Sequence, residues 1–327
     1  MISDLSAAVM EKYSQFRDRA SGIAPFLPVV GHSPTISLLF HTFLFVVRFP
    51  LLISACIFYF CVLQWLPIGS LGNKVSLWTI LGIPGIWWVD LQIEGVKRGS
   101  LAKHQHTRLP GPGTVIASSF TSPVDVLYLA AIFNPIFTAS YPSTQKVKQI
   151  SLLQAIARAF APPEPTPPHA SKADLTDIST LIKRYPNSCV VVFPECTTTN
   201  GKGILELSPS LCSVSSSTRI FPVNLRYEPA DITTPIPGSY VRFIWNLLSK
   251  PTHFIRVRIA ESVQRGSAVD VPLQSLRGDS DVTLDLDQQK LLFLVGDSLA
   301  RLGRVKRVGL GVRQKQEFVR MWDKTRK

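Results

Sequence analysis

The chain has 327 residues, 46% hydrophobic and 17% charged, with a formal net charge of +13, a pI near 9.7 and a mean hydropathy of +0.19. That length builds one large domain or two small ones, and so positive a hydropathy is unusual for a water-soluble α/β protein, so a membrane-embedded part is expected. The basic balance calls for an anionic partner, either an acidic membrane surface or a phosphorylated or CoA-bearing substrate; the lack of any helix-turn-helix, RRM or zinc-finger pattern speaks against nucleic acid. The 5 cysteines fall at irregular spacing with no C-x-x-C pair, which argues against a disulfide framework and a zinc site and fits a reducing compartment.

Residues 1–34 read as a short amphipathic start followed by a Pro- and Gly-containing linker, with no cleavable signal peptide evident. Residues 36–66, ISLLFHTFLFVVRFPLLISACIFYFCVLQWL, carry one charge, Arg48. A bilayer needs about 20 apolar residues, so the run could cross once. The charge and the adjacent Pro50 suggest a turn instead. Segments 36–47 and 51–66 are then expected as arms of a re-entrant or interfacial hairpin, within a membrane-embedded or interfacial region 35–87. Residues 75–93 are also apolar, but Gly82, Pro84 and Gly85 interrupt them, and Trp78, Trp87 and Trp88 suit an interfacial belt. They are expected to lie along the interface and to lead into a strand at 88–93.

The turn cluster PGPG at 110–113 opens a soluble pattern. Periodicity predicts a strand at 114–117, a helix at 123–133, a strand at 136–141 and a helix at 147–160. Residues 161–170, APPEPTPPHA, read as a Pro-rich exposed loop. Asp174 is placed to cap a helix running to about Arg184. SCVVVF, 188–193, is a continuous apolar run, as expected of a strand covered on both faces. Strands at 218–225 and 254–259 and helices at 240–248, 284–302 and 314–322 complete the pattern. The alternation predicts an α/β domain over 88–300, with a mainly parallel sheet flanked by helices, behind the N-terminal membrane-embedded hairpin. Residues 301–327 hold ten Lys/Arg and two acids. They read as a basic C-terminal tail, either a solvated helix face or a contact to anionic headgroups.

Two loops could carry chemistry. In the first, Ser122 suits an N-cap, Pro123 the first helical position and Asp125 the third, where a carboxylate can bond back to the cap. Helix capping alone would explain Asp125; a pocket carboxylate is the other reading. The second loop, FPECTTTNGKG at 193–203, follows the buried strand and should emerge at its carboxyl end, where α/β sheets place ligands. There Glu195 stands at the strand end. Thr197, Thr198 and Asn200 offer polar groups, Asn200-Gly201 permits positive φ, and Lys202 adds a cation for an anionic ligand.

Taken together, SFTSPVD (119–125), FPECTT (193–198) and FPVNL (221–225) resemble the blocks of the glycerolipid (lysophospholipid) acyltransferase family with the PlsC-type domain, over about residues 88–260. That family has an N-H-x-S-x-x-D block, an F-P-E-G-T-R block and a later V-P-V strand. The N-terminal hydrophobic region, VDLQIEGVKRG at 89–99 and the basic tail look like a divergent fungal branch. Its members are lysophosphatidic-acid acyltransferase-like proteins of the endoplasmic reticulum and lipid droplets, some named for vacuolar protein sorting. The resemblance implies acyl transfer from acyl-CoA, a co-substrate rather than a cofactor, to a lysophospholipid at a membrane. The α/β domain would face the cytosol and need no metal. In the family the block histidine takes the proton from the acceptor hydroxyl and the aspartate orients it. Asp125 matches the aspartate, while Phe120 stands at the histidine and Ser119 at the asparagine. Glu195 and Thr197 match the second block, while Cys196 replaces its glycine and Thr198 the arginine that helps hold the acceptor phosphate. Losing a general base typically lowers the rate about 10²–10⁴-fold. His104 and His106, in KHQHT, are the substitute bases nearest in sequence. Two readings follow: a lysophospholipid O-acyltransferase with Asp125 and Glu195 as pocket carboxyls, or a catalytically impaired homologue that binds lipid or scaffolds at an organelle surface.

Overall fold

Residues 13–29, 38–63, 70–96, 108–168, 173–266 and 284–326 are described by a computed structural model. In chain order its helices and strands are α1 (Leu38–Phe58), α2 (Ser70–Gly82), β1 (Trp88–Ile93), β2 (Val115–Ser118), α3 (Pro123–Phe133), β3 (Ile136–Ala139), β4 (Val147–Ile150), α4 (Leu152–Arg158), β5 (Leu175–Thr176), α5 (Ile178–Arg184), β6 (Val190–Val192), β7 (Gly203–Ile204), β8 (Ile220–Glu228), α6 (Tyr240–Ser249), β9 (Phe254–Ile259), α7 (Leu286–Gly303), β10 (Lys306–Arg307) and α8 (Val312–Arg326). Eight strands form one sheet in the order β1-β9-β8-β2-β6-β3-β4-β5. Its centre, β8-β2-β6-β3, is parallel. Antiparallel pairs join β9 to β8, β4 to β3 and β5 to β4.

The alternation of side chains along each central strand loads both faces of the sheet. Ile116, Val191 and Phe221 point into a core shared with α2, α3 and α6. Val115, Ala117, Val190 and Val192 point into a second core with α5 and α7. A third cluster joins the ends of the chain: Tyr13, Phe16 and Phe26 pack with Leu205, Val308 and Phe318. The stretches read from sequence as linker and tail are therefore packed against the body and each other.

The hairpin turn expected at Arg48–Pro50 is absent. Helix α1 runs through both residues and continues in a π-helical turn, Tyr59–Leu63. The whole, Leu38–Leu63, has a mean hydropathy of 2.2 and is almost entirely unburied. The charge is accommodated because its guanidinium leaves the helix for the body. Arg48 donates to the carbonyls of Lys250 (2.5 Å), Pro251 (3.0 Å), Leu248 (3.4 Å) and Pro84 (3.4 Å). Two of these acceptors lie at the C-terminus of α6, the negative end of its dipole. His41 adds a bond to the Ser249 carbonyl at 2.7 Å, and Phe45 packs on Trp245 at 5.0 Å. Replacing Arg48 with Leu is expected to lower stability by about 2–3 kcal/mol, because four carbonyls lose a charge-assisted donor; thermal unfolding in detergent measures it, and an unchanged midpoint would refute the anchoring role.

Other boundaries also differ. The segment expected to lie along the interface starts as helix α2 and turns at Gly85, where φ is +87° and an added Cβ would sit 2.4 Å from the Pro251 carbonyl oxygen. The single helix expected at 147–160 is a strand followed by a short helix. Ser151 separates them in a capping box with Gln154. Helix α5 is entered from Asp177, not Asp174, which pairs with Lys148 at 3.4 Å.

Candidate functional site

Strands β2 and β6 are parallel neighbours, with Val115 beside Val190. Their carboxyl ends therefore deliver residues 119–125 and 193–202 to the same edge of the sheet. Two backbone bonds tie this region together, Thr199 N to Phe120 O at 3.0 Å and Thr234 N to Thr121 O at 2.9 Å.

Asp125 forms the expected capping box with Ser122. Its Oδ2 accepts from the Thr121 N–H (2.7 Å), the Ser122 N–H (2.9 Å) and the Thr121 hydroxyl (3.1 Å). Its Oδ1 accepts from the hydroxyl of Tyr227, on β8. Burial pushes its carboxyl up to about 6, although each of these bonds favours the anion. Glu195 is also fully buried. Its oxygens accept from the backbone N–H of Phe120 (3.4 Å) and Leu205 (3.0 Å). Burial raises its carboxyl to about 7; the neighbouring charge of Asp125 raises it further, while the two backbone bonds and Lys315 oppose. Glu195 lines a cavity of about 80 Å³ with Ser119, Thr121, Lys202, Asn224 and Arg226. Asp125 stands one layer behind it, through Thr121 and Tyr227. A larger cleft, about 410 Å³, lies between α2 and the start of β3, and neither carboxylate lines it.

The polar residues of the second loop are largely engaged within the fold. The Asn200 amide donates to the carbonyls of Ala24 and Leu27, each at 2.8 Å. The Thr198 hydroxyl donates to Thr234 O at 2.6 Å. Lys202 is exposed at the cavity. Cys196 adopts φ +59°, a left-handed conformation that glycine enters without steric penalty, which explains why the family block carries glycine there. Phe120 is buried and stacks on Phe193 with ring centroids 4.4 Å apart. Its ring faces a void of about 10 Å³ shared with Thr138, Arg158 and Cys196. His104 and His106 lie outside the described residues. Among the described residues, no group of three or more His, Cys, Asp or Glu could hold a metal ion.

Sequence reading missed Lys315, on α8. Its ammonium is fully buried and donates to the Thr198 carbonyl (2.5 Å), the Thr197 hydroxyl (2.8 Å) and the Thr198 hydroxyl (3.2 Å). Burial lowers its amine to about 7, against the attraction of Glu195. A local signal existed: Lys315 interrupts the stripe Val312, Phe318, Val319, Trp322 at helical spacing. A cation on an apolar stripe needs a partner inside the fold. Tyr227 was missed because the β8 pattern was ended at Leu225, two residues earlier on the same face.

The structure thus combines one helix long and apolar enough to cross a membrane with buried carboxylates, beside cations, at the carboxyl end of a parallel sheet in an α/β body. No protein-family model matches the chain. A Schizosaccharomyces pombe protein provisionally named as a lysophosphatidic acid:oleoyl-CoA acyltransferase is 27% identical over 324 residues, covering 95% of this chain and 97% of that protein. The Saccharomyces cerevisiae lysophosphatidic acid:oleoyl-CoA acyltransferase 1 is 25% identical over 266 residues, 74% of this chain and 80% of that protein. Among solved structures, the LPA acyltransferase PlsC of Thermotoga maritima aligns with a TM-score of 0.37 at 11% identity, over 82% of this chain and 97% of its own. The sequence blocks and these two relatives support a PlsC-type acyltransferase family for the chain.

Proposed function

We propose that this protein transfers a fatty acyl group from acyl-CoA to the free hydroxyl of a lysophospholipid, with lysophosphatidic acid as acceptor. The names of both yeast relatives carry that acceptor and an oleoyl-CoA donor. The observation that carries the reading is Glu195, a dry carboxylate in a cavity shared with two cations, Lys202 and Arg226. A carboxyl near 7 is poised to act as base at neutral pH. The acceptor O–H gives its proton to Glu195 as the oxygen attacks the thioester carbonyl. The tetrahedral intermediate then collapses, the C–S bond breaks, and Glu195 returns the proton to the departing thiolate. Asp125 fixes the loop that frames the cavity, while Thr197, Thr198 and Asn200 hold the second loop in shape and Lys202 meets the phosphate. Membrane lipids are the remaining partner, engaged through α1. The site of action is the endoplasmic reticulum or lipid droplet surface, with the α/β body toward the cytosol; the fungal resemblance supports that location.

The second reading, an impaired homologue that binds or scaffolds, is favoured by Phe120, whose ring packs on Phe193 where the family has its histidine. An assay on the purified full-length chain with labelled oleoyl-CoA and several lysophospholipids separates the two. Under the first reading wild type makes acylated product and Phe120→His does not raise it. Wild type silent with every acceptor, and product appearing on Phe120→His, would establish the second.

A further inference from the structure

Strands β8 and β9 set two arginines at directly opposed positions. In their antiparallel register Arg226 is opposite Arg256, and Asn224 is opposite Arg258. Like charges directly across an antiparallel pair destabilise a sheet. Arg304, just past the end of α7, joins them. Burial lowers the Arg258 guanidinium, and the charges of Arg304, Arg256 and Arg226 lower it further.

The fold offsets this crowding only in part. Arg256 pairs with Glu228 at 3.1 Å, and Asp90 lies beside Arg256 on β1. The carboxyl end of α7 takes one N–H from Arg258, at Leu302 O (2.6 Å), and one from Arg226, at Gly303 O (3.5 Å). Among the described contacts, four guanidiniums thus share two carboxylates and a helix terminus; Arg226 and Arg304 are exposed, and Arg256 and Arg258 are half-buried.

Position gives this excess a use. Arg226 lines the Glu195 cavity, so the cluster begins at its mouth. Two residues before Arg256, Phe254 is paired with Trp88, and both are exposed aromatic side chains of the kind that sit at a membrane interface. A polar headgroup held in that interface would meet the arginines first.

We propose that Arg226, Arg256, Arg258 and Arg304 form a binding site for a phosphate monoester, the dianion that planar guanidinium forks hold by paired hydrogen bonds. The proposal rests on the acyl-transfer reading for the source of that group. A lysophosphatidate acceptor carries one, and so does the 3′-phosphate of coenzyme A. Thr198 stands where the family has its phosphate-holding arginine, and the cluster supplies the missing charge from a different strand pair.

The test uses the full-length chain in nanodiscs without anionic lipid. Direct binding of glycerol 3-phosphate and of adenosine 3′,5′-bisphosphate is measured for wild type, Arg226→Gln and Arg256→Gln. Each substitution is expected to weaken binding of one of the two probes by about tenfold or more, while the thermal midpoint of the ligand-free protein stays level or rises as the repulsion is relieved. In turnover, KM is compared for lysophosphatidate against monoacylglycerol, and for oleoyl-CoA against oleoyl-dephospho-CoA. Loss of discrimination in the first pair assigns the site to the acceptor, and in the second to the donor. Binding of both probes unchanged in both variants overturns the proposal, as does a lowered midpoint with unchanged affinity. Because the binding measurements need no turnover, failure of the acyl-transfer reading shows separately, as bound phosphate without product.

Discussion

Replacing Lys315 with Met is expected to lower kcat/KM by about 10²-fold, the scale of displacing a positioning loop by about 1 Å. The substitution keeps the length of the side chain and removes all three donor contacts to Thr197 and Thr198. A buried carbonyl and hydroxyl are left unpaired, which lowers stability by about 1–3 kcal/mol. The pH–rate profile separates this from a simple loss of fold. Lys315 is a charge that favours the Glu195 anion, so without it the carboxyl titrates higher and the rising limb of kcat/KM moves up in pH. The charged and titratable groups around this pair are Asp125, Tyr227, Cys196 and Arg158, with Lys202 and Arg226 lining the same cavity as Glu195, and none of them is altered. Lys315→Arg should not rescue, because a larger planar cation does not fit a fully buried pocket shaped for an ammonium. A variant with the wild-type profile would show that Lys315 plays no part in setting the site.

Glu195→Gln is expected to reduce the rate by about 10²–10⁴-fold, the loss of a general base. It also changes how stability depends on pH. Burial lifts Glu195 from 4.5 to about 7 and Asp125 from 3.8 to about 6. In that window the folded chain keeps protons that the unfolded chain has released, so stability falls as pH rises toward neutrality. Lys315 runs the other way. With its amine lowered from 10.5 to about 7, the unfolded chain holds a proton that the folded one lacks, and stability climbs from about pH 7 to 10.5. The wild type should therefore be least stable near neutral pH. The glutamine variant should lose about half of the falling limb, the Asp125 share remaining, a difference on the order of 1–3 kcal/mol at pH 8. Part of that gain is offset, since one amide oxygen cannot accept both the Phe120 and Leu205 N–H groups. Denaturation midpoints across pH 4–10 measure it, and parallel curves for the two proteins would remove Glu195 as the source.

What could be read from the sequence was whatever chemistry is local. The Ser122-Pro123-Val124-Asp125 cap set the start of α3 at Pro123 because every bond of the cap lies within four residues. The VVV run showed β6 because a strand covered on both faces has no polar alternation to obscure it. The break at Ser151 was readable too, since Ser151 and Gln154 carry the capping-box pattern; the helix-like spacing of the flanking apolar residues masked it. Arg48 and Lys315 were beyond local reading. Each is a charge in an apolar stretch, and its partners lie about 200 and 118 residues away in sequence. Only the folded sheet brings α6 under α1 and the Thr197–Thr198 loop under α8.

That last separation bears on how the protein is made. Translation at about 5–20 residues per second leaves Thr197 and Lys315, 118 residues apart, separated by something like six to twenty-four seconds on the ribosome. Through that interval the nascent loop exists without its ammonium clamp, while the greasy leading helix has already emerged. The Thr197–Thr198 loop thus gains its clamp only once α8 has been made, and a chain halted before that point would carry the sheet and both carboxylates with the loop still unsecured.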